Sequence, residues 1–201
     1  MTVTSRILFV TVLLTLGSSD AFASSEKLKA CLKEAQDIPD MAEAHAMYWY
    51  KQGGGYEARL CHATAQFNRG EYSLAAKEFA ALAAATNAQD PRHAAELHAR
   101  SGSAFSRARD SKNAEAQYAI ALKIEPNDPE IWVDRALERA SFERFWDAIS
   151  DVNQALKIMP DMAEAWRLRG QCWQKLGNTK NAASDLNYAA QIEDYERSKK
   201  P

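Results

Sequence analysis

Twelve residues are written nearly twice in this chain. ALKIEPNDPEIW spans residues 121–132, and ALKIMPDMAEAW spans residues 155–166, 34 positions later. Seven of the twelve positions are identical, among them Pro126 with Pro160, Glu130 with Glu164 and Trp132 with Trp166. A fixed period of this length constrains a fold more than composition does. Each period has to be one structural unit that meets its neighbour in the same way every time.

The register extends on both sides of the repeated segment. One copy carries His98, Ser101-Gly102, Phe105, Ala114, Tyr118 and Pro126; the next carries Trp132, Arg135-Ala136, Arg139, Ala148, Val152 and Pro160. The last has Trp166, Arg169-Gly170, Trp173, Ala182 and Leu186, with Asp194 where proline is expected. The small residue (Gly102, Ala136, Gly170) lets two helices approach closely, and each proline ends a helix because it lacks the N–H that would continue one.

On these residues the sequence resembles the tetratricopeptide repeat family from about Tyr56 to the C-terminus. The resemblance implies an all-α fold, a right-handed α-solenoid of helical hairpins, with repeats at 95–128, 129–162 and 163–196. A weaker copy at 56–90 keeps Ala63, Gly70, Tyr72, Ala75 and Phe79 in order. Gly70 and Arg109 stand five positions further apart than Arg109 and Glu143 do, and the excess falls in ATNAQDPRH, which predicts a longer loop there. Before it, EKLKACLKEAQ and DMAEAHAMYWYKQ form a capping hairpin over 24–55, broken from the next by Gly53-Gly54-Gly55. The reading is ten helices in five antiparallel pairs.

The N-terminal segment, 1–23, stands apart from this pattern. Arg6 precedes the apolar run ILFVTVLLTLG, and Ala21-Phe22-Ala23 has the small-x-small form of a signal-peptidase site,. The run is shorter than the roughly 18 apolar residues a membrane helix needs. A cleaved signal and an exported, periplasmic chain beginning at Ser24 are therefore expected, without a stable membrane span. Removing Arg6 and Asp20 leaves 24 basic and 26 acidic residues, a balance that points to neither nucleic acid nor an anionic membrane surface,. An exported chain meets oxidising conditions, and Cys31, Cys61 and Cys172 allow three pairings. The resemblance places Cys31 and Cys61 on first helices of adjacent hairpins and Cys172 three hairpins further on, which implies a Cys31–Cys61 disulfide and a buried Cys172 thiol. Two small core cysteines is the other reading of that pair.

Charges recur with the period. Arg135 is followed by Asp151, and Arg169 by Asp185, at the same offset, while the copy with Ser101 has Gln117 instead. That covariation between copies suggests ion pairs Arg135–Asp151 and Arg169–Asp185 inside each hairpin; basic groups awaiting an anionic ligand is the alternative. Arg139 replaces a usual aromatic, with Asp147, Asp151 or Glu143 as partners, or a ligand if it is free.

No nucleophile elbow, phosphate loop or His-Glu-x-x-His motif occurs, and His45, His62, His93 and His98 do not form a metal-ligand set,. The expectation is no enzyme, no cofactor and no metal. The resemblance implies a concave face lined by first helices, with Leu60, Phe67, Val133, Leu137, Arg167 and Gln171 as partner contacts. The function expected is a protein-interaction scaffold or adaptor that takes a peptide or protein partner in that groove; a carrier or sensor of a small or lipid-like ligand is the alternative. The first of these expectations is directly measurable. Intact mass of the exported protein should match Ser24–Pro201 with one disulfide, and a retained N-terminus in the membrane fraction would remove the export assignment.

Overall fold

The computed structural model describes residues 17–199, with side chains from Ser24 onward. The apolar run of the expected signal lies mostly outside these residues. Ten α-helices follow one another among the described residues: α1 (Gly17–Asp37), α2 (Pro39–Lys51), α3 (Gly55–Asn68), α4 (Tyr72–Thr86), α5 (Pro91–Arg107), α6 (Ser111–Ile124), α7 (Pro129–Ser141), α8 (Phe145–Ile158), α9 (Ala163–Lys175) and α10 (Thr179–Ser198). No described helix is long and apolar enough to cross a membrane.

Local sequence explains the boundaries. Asp90, Asp110, Asp128 and Asn178 cap α5, α6, α7 and α10, their side-chain oxygens accepting backbone N–H bonds,. Proline follows the cap at the starts of α5 and α7, where its fixed φ suits the first turn,. The wider spacing between Gly70 and Arg109 does not produce a longer loop. Residues 87–90 separate α4 from α5, just as 125–128 and 159–162 separate the later hairpins. The extra length lies in the helices, with 15 residues in α4 and 17 in α5 against 14 in α8 and 13 in α7. Asp90-Pro91 is the same start signal as Asp128-Pro129, so the helix begins there, and the alanine-rich stretch before it extends α4.

The repeated dodecamer is the joint between hairpins. Trp132 Nε1 donates to the Pro126 carbonyl at 2.8 Å, and Trp166 Nε1 donates to the Pro160 carbonyl at 2.7 Å. Each indole thereby pins the chain that leaves one hairpin to the helix that opens the next. One turn later an arginine covers the same indole, with guanidinium carbons 4.9 Å (Arg135) and 4.4 Å (Arg169) from the ring centroids,. The small residue next in sequence to that position answers its opposite number. A Cβ on Gly102 would lie 2.9 Å from the Tyr118 ring and one on Gly170 2.8 Å from Leu186, whereas Ala136 faces the smaller Val152 in its core cluster.

Arginine–carboxylate pairs tie each hairpin internally. Arg135 holds Asp151 through two bonds of 2.9 and 2.8 Å, and Arg169 holds Asp185 at 2.7 and 2.9 Å. Asp151 is only 2% exposed, so removing its arginines would leave a buried charge, a loss of about 3–5 kcal/mol,. Arg139 joins the same group, bonding Asp151 at 2.7 Å and Glu115 at 2.8 and 3.0 Å. Glu115, on α6, is not among the partners the sequence suggests. Asp147 instead takes Arg144 at 2.8 Å. Burial works to raise the Glu115 carboxyl, but the hydrogen bonds and charges of Arg139 and Arg144 hold it below its ordinary range. In the copy without the arginine, Ser101 Oγ donates to the Ala76 carbonyl at 2.7 Å, and Gln117 Oε1 lies 2.7 Å from His98 Nδ1.

At the N-terminal end, Cys31 and Cys61 form a disulfide with Cα atoms 6.0 Å apart, tying α1 to α3. It closes a loop with a sequence separation of 30, a constraint that contributes about 3–4 kcal/mol in the chain-entropy picture,. Cys172 is a buried free thiol, and burial pushes it up to about 11, far from reactive thiolate chemistry,.

Every hairpin from α3 onward turns through one left-handed residue: Gly70 (φ 84°), Arg109 (62°), Glu143 (62°) and Gly177 (76°). Two of the four carry side chains where glycine is favoured. Glu143→Gly should therefore stabilise the array by about 1 kcal/mol, read by urea denaturation, because relief of the left-handed strain outweighs the added chain entropy. An unchanged or lower midpoint would show that the turn carries no strain.

Candidate functional site: the concave groove

First helices touch first helices: α1 with α3, α5 with α7, α7 with α9. Second helices make no comparable contact with one another. The inner side of the curved array is consequently built from first helices, and its middle lies where α3, α5 and α7 face one another.

Between α3 and α5 the junction is carried by side chains. Tyr56 Oη lies 2.5 Å from His93 Nε2, and His93 Nδ1 lies 3.2 Å from Glu96 Oε2. The sequence Tyr–His–Glu resembles a proton relay, yet burial pushes the Tyr56 phenol up rather than down, so its hydroxyl is not activated,. It acts as a staple. A second bond crosses about two turns further along α3, where Arg100 Nη2 donates to Thr64 Oγ1 at 3.0 Å,.

Beside that bond is a pocket of about 160 Å³ lined by Phe67, Phe79, Arg100, Ser103 and Asp134. The Arg100 guanidinium sits 4.5 Å from the Phe79 ring centroid. Burial lowers its pKa from the ordinary arginine value. Across the pocket, Asp134 is open to the groove, yet the walls of the concavity enclose it on most sides. That enclosure first, and then the repulsion of Glu164, Glu130 and Asp128, push its carboxyl up to about 6. Larger clefts of about 420 Å³ exist at the N-terminal hairpins, one around Tyr50, Arg59 and His62 and another around His45 and Trp49. Several of their charged groups are matched within the chain: Arg59 with Glu78 at 2.6 Å, His62 with Glu43 at 3.3 Å and His45 with Glu34 at 2.9 Å, while Lys27 lies over the Trp49 ring.

The residues expected at the groove divide into two groups. Phe67 lines the central pocket, Leu137 is 42% exposed one turn beyond Asp134, and Gln171 is exposed on α9. Leu60 and Val133 are 5% and 2% exposed and belong to the core clusters, so they support the helices instead of offering surface. Arg167 is exposed but forms an ion pair with Glu193 of α10. Phe67 and Leu137 keep the expected face, whereas Val133 turns into the core and its neighbour Asp134 reaches the pocket together with Arg100; sequence reasoning misses Arg100 and Asp134. They lie one full period apart, at equivalent places in consecutive repeats, and are opposite in charge, a signal available in the register.

Among the described residues, no group of His, Cys, Asp and Glu is placed to hold a metal ion. The architecture defines the class: an all-α, right-handed solenoid of tetratricopeptide type. No family model matches the chain. Among solved structures, a MamA RS-1 double mutant superposes with a TM-score of 0.69 at 18% identity, covering 90% of this chain and 98% of that one. MamA from Desulfovibrio magneticus RS-1, residues 41 to the end, gives 0.65 at 16% identity, covering 91% and 98%. A further MamA crystal structure gives 0.66 at 16% identity, covering 83% and 95%. At these identities the likeness is one of fold.

Asp134 makes stability depend on pH in a definite direction. Its folded-state pKa lies above the ordinary aspartate value, so the folded chain binds the proton more tightly than the unfolded chain does. Stability contributed by the neutral form is present at low pH and is lost as pH rises from about 4 through 6,. Asp134→Asn should accordingly raise the melting temperature at pH 7.5, modestly because solvent reaches the carboxylate, and the gain should shrink as pH falls through 6 toward 4,. A gain that is equal at both ends of that range would remove the assigned pKa.

Proposed function

We propose that the mature chain is an exported, periplasmic and non-enzymatic scaffold or adaptor that binds a peptide or protein segment along its concave face. The observation that carries this reading is the central pocket, where first helices of three successive hairpins present Phe67, Arg100, Ser103 and Asp134 to one open space. Aromatic and arginine side chains are the groups that concentrate interface energy. Nearby Leu137 adds apolar surface on the same side. A rigid array stapled by Trp–Pro bonds and arginine–carboxylate pairs holds these groups in place before a partner arrives, which lowers the ordering cost of binding,. Export is supported by the N-terminal sequence, and the Cys31–Cys61 disulfide suits an oxidising compartment,.

The opposite side offers the control. Asn187, on α10, lines a cleft with Trp166, Ser184, Tyr188 and Gln191 away from the central pocket. Immobilised mature protein should capture its partner from a preparation of exported proteins. Leu137→Glu should weaken that capture roughly tenfold or more with helical content unchanged, whereas Asn187→Glu should leave it nearly intact. A partner indifferent to Leu137 but lost on changing Asn187 would move the binding surface to the second helices and defeat the groove reading.

A further inference from the structure

Among the described residues five arginines are only partly exposed: Arg59, Arg100, Arg135, Arg139 and Arg169. Four of them hold a carboxylate at 2.6–2.9 Å, namely Glu78, Asp151, Glu115 with Asp151, and Asp185. Arg100 is the exception. Among the described residues no carboxylate lies within 4.0 Å of it, and of its five N–H donors one is bonded, to Thr64,. The Thr64 bond and the Phe79 ring use part of the guanidinium in the α3–α5 junction, and Glu96 of the same helix acts on it from beyond 4.0 Å, which leaves the other donors without a bonded protein partner among the described residues.

Asp134 faces the same pocket with the complementary deficiency. No cation lies within 4.0 Å of its carboxylate among the described residues, and Glu130, Asp128 and Glu164 surround it with like charge. The two groups line one space but do not meet. That space, about 160 Å³, is well below the ~300 Å³ at which small-molecule sites begin, so it fits a part of a longer chain and not a freestanding metabolite,. It opens on the concave side, along which an extended or helical segment runs past α3, α5 and α7 in order.

We propose that this pocket selects a polypeptide segment carrying an acidic side chain and a basic side chain close together, the acid seated on Arg100 and the base on Asp134. The proposal rests on the groove reading above and adds the chemistry of the occupant. Arg100 offers planar paired donors suited to a carboxylate, with Thr64 and Ser103 beside it,. Asp134, with Glu130 and Glu164, forms the negative end that receives a lysine or arginine. The segment therefore lies with its acid toward α3 and its base toward α9. A segment with only acids meets the glutamate rim, and one with only bases meets Arg100; each is rejected by one end of the pocket.

The test uses the full mature chain and fluorescein-labelled, end-capped twelve-residue peptides on a neutral Ala/Ser/Gln background. The peptides carry Glu and Lys separated by zero to three residues in both orders, with Glu alone, Lys alone and a Ser–Ser control. Fluorescence anisotropy at low salt should rank one Glu/Lys spacing tightest, with about tenfold lost when either charge is replaced by serine. Arg100→Met should abolish the advantage of the Glu and leave that of the Lys; Asp134→Asn should do the reverse. Both variants are checked for helical content and melting temperature, and Arg100→Lys, which keeps the charge, should retain part of the Glu preference. The proposal is overturned if no Glu/Lys peptide binds above the Ser–Ser control, or if the variants weaken all peptides equally. Should Leu137→Glu still release the captured cellular partner while the peptides show no charge preference, the groove reading stands and only this selectivity falls. Loss of both would defeat the two together.

Discussion

A helical hairpin in this chain has two apolar faces and can cover only one of them with its own pair of helices. The other face has to be closed by the next hairpin, and the fold follows from how that handover is fixed. Here it is fixed by an indole. Trp132 and Trp166 each reach back to a proline carbonyl, in the stretch where the chain has no helical partner for that oxygen,. The proline both ends the helix and leaves its carbonyl free for the tryptophan. Arg135 and Arg169 then cover the indoles and extend to Asp151 and Asp185, so one side chain ties the joint to the interior of its own hairpin.

Most buried charge in the array is neutralised across helices; Glu138, 3% exposed, is held instead by the Ser111 hydroxyl at 2.7 Å, and burial pushes its carboxyl up. Asp151 receives Arg135 and Arg139 from α7, while Arg139 also reaches Glu115 of α6 and thereby links one hairpin to its predecessor. Such a network is costly to break from any one member, because each leaves its partners buried and uncompensated. Against that background Arg100 and Asp134 are informative. In a protein that otherwise pairs every partly buried arginine among its described residues, one cation and one anion left apart around a common pocket mark the place where the chain has not completed its own chemistry.

The register is legible because it is written in residues with strict local roles. Pro126, Pro160, Trp132, Trp166 and the small positions 102, 136 and 170 each answer one steric or hydrogen-bonding need that returns once per period. The Arg135–Asp151 and Arg169–Asp185 geometry is visible in the same way, since both partners lie within one period. Glu115 escapes notice because its contact with Arg139 crosses between hairpins, and nothing local in the sequence specifies that separation. The central pocket is hidden for a different reason. Which residue of a first helix faces inward depends on how that helix packs on its neighbours, and on α7 the boundary falls between Val133, in the core, and Asp134, at the pocket. The stretch 85–93 misleads because added length looks like loop, although alanine-rich sequence before it and an Asp-Pro start leave only 87–90 between the helices,.

The Cys31–Cys61 bond gives the array a mechanical polarity. A linear stack held only by neighbour contacts loosens from either end, one unit at a time. Under load this chain cannot do so symmetrically, since peeling away α1 would have to carry α3 with it through a covalent link. No such fastening joins α9 to α10, because Cys172 is a free thiol and the two helices rest on each other through packing and ion pairs alone. Tension across the described helices therefore unwinds the solenoid from α10 inward, and the central pocket loses its α7 wall before its α3 wall.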